Sequence, residues 1–252
     1  AHFLLGECHE YGYGVERDMD EAFRLYEIGH RGGYAASTCS LGLCYELGRG
    51  TAEDKAKARD LYEQAAKRGN ARAQCNLGFF YYHGISVEED DAQAAQWFAR
   101  AAEQGYPRAE FLLGECYENG YGVEQDPGEA VRLYTRSDKG GHSDGTCSLG
   151  ECFLQGLGTK QDQAQAVRLF QKAADKGNTR AAYLLAQCLE EGTGTARDLK
   201  QARELYQKAA DQGHKKAKEA LARLDTVQDA PAKPAKPEPK KERKGWWPFG
   251  KK

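Results

Sequence analysis

The stretch Phe3–Glu16, FLLGECHEYGYGVE, returns at Phe111–Glu124 as FLLGECYENGYGVE, with twelve of fourteen positions identical and 108 residues between the copies. A cysteine, carboxylates and a glycine-rich turn so close together read either as an active-site motif or as a structural unit copied along the chain. The spacing decides, because repeat architectures show self-similarity at a fixed period. A step of 36 from Gly6 lands on Gly42, Gly78, Gly114, Gly150 and then Ala186. The same step links Tyr26, Tyr62, Phe98, Tyr134, Phe170 and Tyr206, and also Ala22, Ala58, Ala94, Ala130, Ala166 and Ala202. The register does not slip over six copies, so the 108-residue echo is three repeats and the quoted stretch is a module.

Each module reads as two helices. In the fourth copy Ala109, Leu113, Cys116 and Tyr117 fall at helical spacing, with Gly114 beside them. A Gly-x-Gly turn stops that helix, since glycine takes the left-handed conformation without steric cost. Four residues past the second turn position stands an aspartate in every copy: Asp18, Asp54, Asp90, Asp126, Asp162 and Asp198. Glu or Gln follows three residues later in five of the six, the pattern of a capping box at a helix start. The second helix carries the conserved-register alanine, a Leu-aromatic pair and usually a closing Ala-Ala-x-x-Gly. One such hairpin cannot bury its own apolar face, whereas stacked hairpins can. The fold class predicted is all-α: an α/α superhelical solenoid of six 36-residue helix-turn-helix repeats.

The pattern Ala-x3-Leu-Gly-x2-Tyr-x2-Gly-x-Gly, then Asp, Ala-x2-Leu-Tyr and Ala-Ala-x-x-Gly, resembles the Sel-one-like repeat family, cousins of the tetratricopeptide repeats. It covers residues 1–214. The resemblance implies a non-enzymatic adaptor or scaffold that binds a partner protein or peptide on a concave face lined by first helices. Departures are Ala186 for the packing glycine, Ser86 for a turn glycine, and IGHRGG and SDKGGH where the double alanine is missing. The last two sit at equivalent places in the two triplets, so local packing or curvature is expected to differ there. The chain starts two places into a repeat, which suggests a first repeat truncated at its N-terminus.

The groove positions implied by the related repeats fall one, four and five residues after the packing glycine. They give Glu7, Glu10 and Tyr11; Leu43, Glu46 and Leu47; Phe79, Tyr82 and His83; Glu115, Glu118 and Asn119; Glu151, Leu154 and Gln155; Gln187, Glu190 and Glu191. Glutamates flank an aromatic patch in the third repeat, an arrangement that suits a basic peptide segment with an apolar anchor.

The formal charge of −2 hides an asymmetry: residues 226–252 carry eight Lys/Arg and three Asp/Glu, and the rest carries 28 and 35. An acidic array is a poor nucleic-acid platform, so no nucleic-acid partner is expected. No apolar run approaches the ~20 residues of a membrane span. All eight cysteines fall on first helices, and some secreted members of the family bridge their two helices, but here no cysteine lies on a second helix as partner. Free, mostly buried thiols in the cytoplasm or another reducing compartment are expected. There is no zinc-type Cys/His spacing, so no metal and no cofactor is called. GLGTK at Gly156–Lys160 lacks the phosphate-loop spacing. The alternative of a β-lactamase-like hydrolase wants Ser-x-x-Lys, which is absent. The histidines His30, His142 and His214 read as loop residues, and the chain is expected not to be an enzyme.

After Gly213, Ala217, Ala220, Leu221 and Leu224 fall on one face of a capping helix over 215–225. From Thr226 a Pro/Lys-rich, disordered basic tail is predicted, ending in GWWPFGKK. Its Lys240, Lys241, Arg243, Lys244, Trp246, Trp247 and Phe249 suit an anionic membrane surface or an acidic groove, which would make the chain a membrane-tethered assembly factor.

Overall fold

A computed structural model describes residues 1–228. The expectations for the tail, residues 240–249 included, lie outside the described residues. The described chain is a row of helices. First helices are α1 (His2–Tyr11), α3 (Ala35–Leu47), α5 (Ala71–Tyr82), α7 (Pro107–Asn119), α9 (Ser143–Gln155) and α11 (Thr179–Glu191). Second helices are α2 (Met19–Arg31), α4 (Lys55–Lys67), α6 (Asp91–Glu103), α8 (Pro127–Lys139), α10 (Gln163–Asp175) and α12 (Leu199–Asp211). The last helix, α13 (Lys215–Gln228), runs past the change of composition at Thr226 and buries Ala217 and Ala220 against the sixth repeat.

The six aspartates all cap second helices, each accepting the backbone N–H three residues on. Such a cap contributes about 1 kcal/mol. The other half of the expected capping box is not made. The N–H of each cap residue donates instead to a first-helix carbonyl nine residues back, as Asp18 to His9 at 2.9 Å and Asp162 to Phe153 at 2.8 Å. That bond closes the turn onto the preceding helix, and it leaves the Glu or Gln side chain free for other work. Glu21, for example, holds Arg24 at 2.7 Å.

The packing glycine has a direct cause. A Cβ at Gly6, Gly42, Gly78, Gly114 or Gly150 would run into the ring edge of Tyr26, Tyr62, Phe98, Tyr134 or Phe170. Those rings are fully buried between the two helices of their own repeat. The second turn glycine does a different job. At Gly122 and Gly158 the backbone touches the start of the preceding repeat's second helix, at Asp91 and Pro127. Ser86 takes the same left-handed conformation at φ 56°, and Arg59 of the preceding repeat donates to its carbonyl at 2.7 Å.

The missing double alanine turns out to be a compensated exchange. Elsewhere Ala65 and Ala73, or Ala173 and Ala181, face each other fully buried across the repeat junction. Gly29 instead faces Ser37, and Ser137 faces Gly145, the same pair written in opposite order. One side chain grows as the other shrinks, so total volume is kept, as close packing requires.

First helices of neighbouring repeats meet directly at α1–α3 and α7–α9, and no two second helices approach to the same extent. The first helices therefore line the inner, concave side. No helix of the described residues is long and apolar enough to cross a membrane.

Candidate protein-binding groove

Of the groove positions read from the sequence, those four residues past the packing glycine split into two kinds. Glu10, Glu46, Glu118 and Glu190 each accept a hydrogen bond from the tyrosine hydroxyl of their own repeat: Tyr26 at 2.7 Å, Tyr62 at 2.5 Å, Tyr134 at 2.6 Å and Tyr206 at 2.8 Å. Where the residue is Tyr82 or Leu154, the buried ring is Phe98 or Phe170, with no hydroxyl to satisfy. Glutamate and tyrosine thus occur together or not at all. These four carboxylates hold helix to helix, and Glu10 is only 5% exposed with Arg49 as a second partner at 3.2 Å. The sequence reading gave them to a ligand because it could not see the hydroxyl beneath them.

The third repeat, freed of that bond, shows aromatic rings instead. Phe79 and His83 lie 4.2 Å apart between centroids, His83 and Tyr82 4.9 Å, and Tyr82 and Tyr121 of the next repeat 5.8 Å. Phe79 also packs on the cores of repeats two to four, so it is partly structural. Tyr82, His83 and Tyr121 border an open depression of about 420 Å³ together with Glu89 and Asp91. The residues five past the glycine (Tyr11, Leu47, His83, Asn119, Gln155 and Glu191) are all exposed.

Charge along the groove is not uniformly acidic. Residues six before the packing glycine, which the sequence reading passed over, include Arg72, Arg108 and Arg180 on the first turns of α5, α7 and α11. Arg180 pairs with Glu151 at 2.5 Å. Burial pushes the Glu115 carboxyl up to about 7, with Arg180 opposing and Glu118, Asp144 and Glu151 adding to the rise. Glu151 is likewise raised, first by burial. A signal for these arginines was available: they share one register across three repeats.

All eight thiols stand free, and all but Cys8 are buried. Burial pushes Cys39, Cys44, Cys75, Cys116, Cys147 and Cys152 up to about 12 and Cys188 to about 11, which keeps them neutral and unreactive near pH 7. His142 and His214 cap α9 and α13 through Nδ1, as the turn reading expects. His30 is no loop residue: it lies inside α2, its Nδ1 3.1 Å from the Thr38 hydroxyl, because helix α2 runs on to Arg31.

The Sel1 repeat model matches residues 1–31, 35–70, 71–106, 107–142, 143–178 and 179–214, one match per structural repeat. The chain belongs to the Sel1 repeat family. Its fold is similar to that of a Sel1 repeat protein from Oxalobacter formigenes, at 29% identity and TM-score 0.75 over 82% of this chain and 83% of that one. It is also similar to c5321, a protective antigen present in uropathogenic Escherichia coli strains, at 30% identity and TM-score 0.74 over 90% of this chain. This chain spans about half of c5321, 49% of its length. The immunity protein Pa5087 from Pseudomonas aeruginosa shares the fold alone, at 17% identity and TM-score 0.56 over 83% and 80% of the two chains. No curated protein matches. Sel1 repeats are a protein-binding scaffold type and in general non-catalytic, and this chain carries six of them.

Proposed function

We propose that this Sel1 repeat chain is a non-catalytic adaptor that captures an extended protein segment along its first-helix groove, with the third repeat as the anchor point. The observation that carries the reading is the exchange in that repeat. Four of the six repeats spend the position on an internal Tyr–Glu bond, and the third repeat replaces both partners. The position is thereby released to Tyr82, which with His83 and Tyr121 forms a half-exposed aromatic surface. Aromatic anchors of this kind dominate binding energy at protein interfaces. The eight free thiols suit a reducing compartment, which is part of the same proposal.

The test is affinity capture on immobilised protein, wild type against Tyr82→Ser. Tyr82 is only partly buried, so its replacement is expected to lower the unfolding midpoint modestly, through loss of its ring contacts with His83 and Tyr121, and to reduce capture of specific partners at least tenfold. Undiminished capture would remove the third repeat from the interface. Turnover of ester, lactam or phosphate substrates, lost on changing one Ser, Cys or His, would replace the adaptor reading with the hydrolase one.

A further inference from the structure

The residue six before a packing glycine and the residue one after the preceding packing glycine meet across the junctions of repeats three and four and of repeats five and six. The junction between repeats five and six gives the model pair: Arg180 donates to Glu151 at 2.5 Å. At the junction of repeats three and four the arginine remains, as Arg108, but the glutamate position holds Phe79, whose ring lies 5.5 Å from the guanidinium. Its one hydrogen bond among the described residues goes to Asn76 Oδ1 at 3.4 Å. At the junction of repeats two and three the arginine is Arg72 and the glutamate position is Leu43. Arg72 makes neither a hydrogen bond nor an ion pair among the described residues, although it is half-buried. Its nitrogens stay open to solvent. The groups around it include Cys39, Tyr106, Tyr11 and Tyr62, none of them charged near pH 7. A half-buried guanidinium with no anion costs stability, and its planar fork of donors matches a carboxylate.

We propose that Arg72 and Arg108 form an anion-recognition site for two acidic side chains of the segment bound in the groove. This rests on the groove reading above and names its ligand more narrowly. The two arginines lie one repeat apart on α5 and α7, which do not pack on each other as directly as α7 and α9, so their spacing is about 10 Å or more. An extended peptide rises about 3.3 Å per residue, so the acids belong at positions i and i+3, with an apolar residue between them over Phe79. Each guanidinium takes its own carboxylate, and one phosphate would not span both. One junction further on, the same register holds Glu115 and Asp144, and Asp144 adds to the raised pKa of Glu115. That junction repels a third acid and favours a base, which sets the order of charges along the groove. The partner is therefore an acidic-apolar segment with a basic residue at its fourth-repeat end, rather than the basic segment with an apolar anchor that the sequence suggests.

The experiment selects a random dodecapeptide phage library on the full chain, then measures the best fluorescein-labelled peptide by fluorescence polarisation. Wild type is expected to enrich Asp or Glu at i and i+3 flanking an apolar residue. Arg72→Gln and Arg108→Gln are each expected to weaken binding about tenfold to a hundredfold, the range for a charged hydrogen bond, and to flatten its salt dependence. The unfolding midpoint of Arg72→Gln should not fall, since it gives up no ion pair, whereas Arg108→Gln loses its contacts with Phe79 and Asn76 and is expected to fall slightly. Enriched peptides without an acidic preference overturn this proposal and leave the groove reading standing. Failure to enrich any peptide, or binding insensitive to both arginine variants and to Tyr82→Ser, overturns both. Displacement of the peptide by millimolar inorganic phosphate but not by acetate overturns the carboxylate assignment. A clear fall in the unfolding midpoint of Arg72→Gln overturns the premise that this arginine is unpaired.

Discussion

Tyr82→Glu together with Phe98→Tyr would give the third repeat the hydrogen-bonded pair found at 2.5–2.8 Å in the first, second, fourth and sixth. The two changes should be strongly coupled. Phe98 is 1% exposed, so Phe98→Tyr alone introduces a buried hydroxyl without its carboxylate, at about 1–3 kcal/mol. Tyr82→Glu alone removes the ring contacts with His83 and Tyr121, each about 0.5–1.5 kcal/mol. It gains no donor in return. In the double variant the hydroxyl meets the carboxylate, and a hydrogen bond to a charged group returns roughly 1.5–3 kcal/mol. Urea unfolding of the four proteins in the cycle measures this coupling directly. The double variant should regain most of the stability of the wild type and still fail to capture partner, because Tyr82 is gone. A coupling energy below about 0.5 kcal/mol would refute the claim that the Glu–Tyr pair is the structural norm from which this repeat departs. Full partner capture by the stable double variant would refute the functional half.

Two further outcomes follow from groups whose ionisation the fold alters. Glu115 titrates near 4.5 when unfolded and near 7 in the fold, so the folded state binds more protons in that interval and stability falls as pH rises through it. Glu115→Gln should therefore unfold at nearly the same urea concentration as wild type at pH 4.5 and be more stable at pH 8, by on the order of 1–3 kcal/mol after allowing for its partial exposure; equal stability at pH 8 would refute the burial argument. Among the thiols, only Cys8 is not buried, and the other seven are raised to about 11–12. A thiol-reactive chromophore at pH 8 should thus label one cysteine rapidly in the native protein and all eight in denaturant, and rapid native labelling of several would refute the packing.

The repeat length, the two helices per repeat, the aspartate caps and the shared register of glycine and aromatic ring were legible in the sequence. Each depends on residues fixed distances apart in one repeat, and six copies supply the comparison that a single motif lacks. The sequence left open which polar residues at the concave face belong to a ligand and which to the fold. Glu10, Glu46, Glu118 and Glu190 look like groove residues until a tyrosine hydroxyl sixteen residues away is seen to hold them. The exchange of Gly29 and Ser37 against Ser137 and Gly145 reads as two local irregularities until both ends are seen to face each other. Arg72 and Arg108 carry no sequence signature beyond a shared register, because what sets them apart from Arg180 is the residue across the junction. Periodicity fixes which face a residue occupies. Only the packing of one helix on the next determines whether its charge already has a partner.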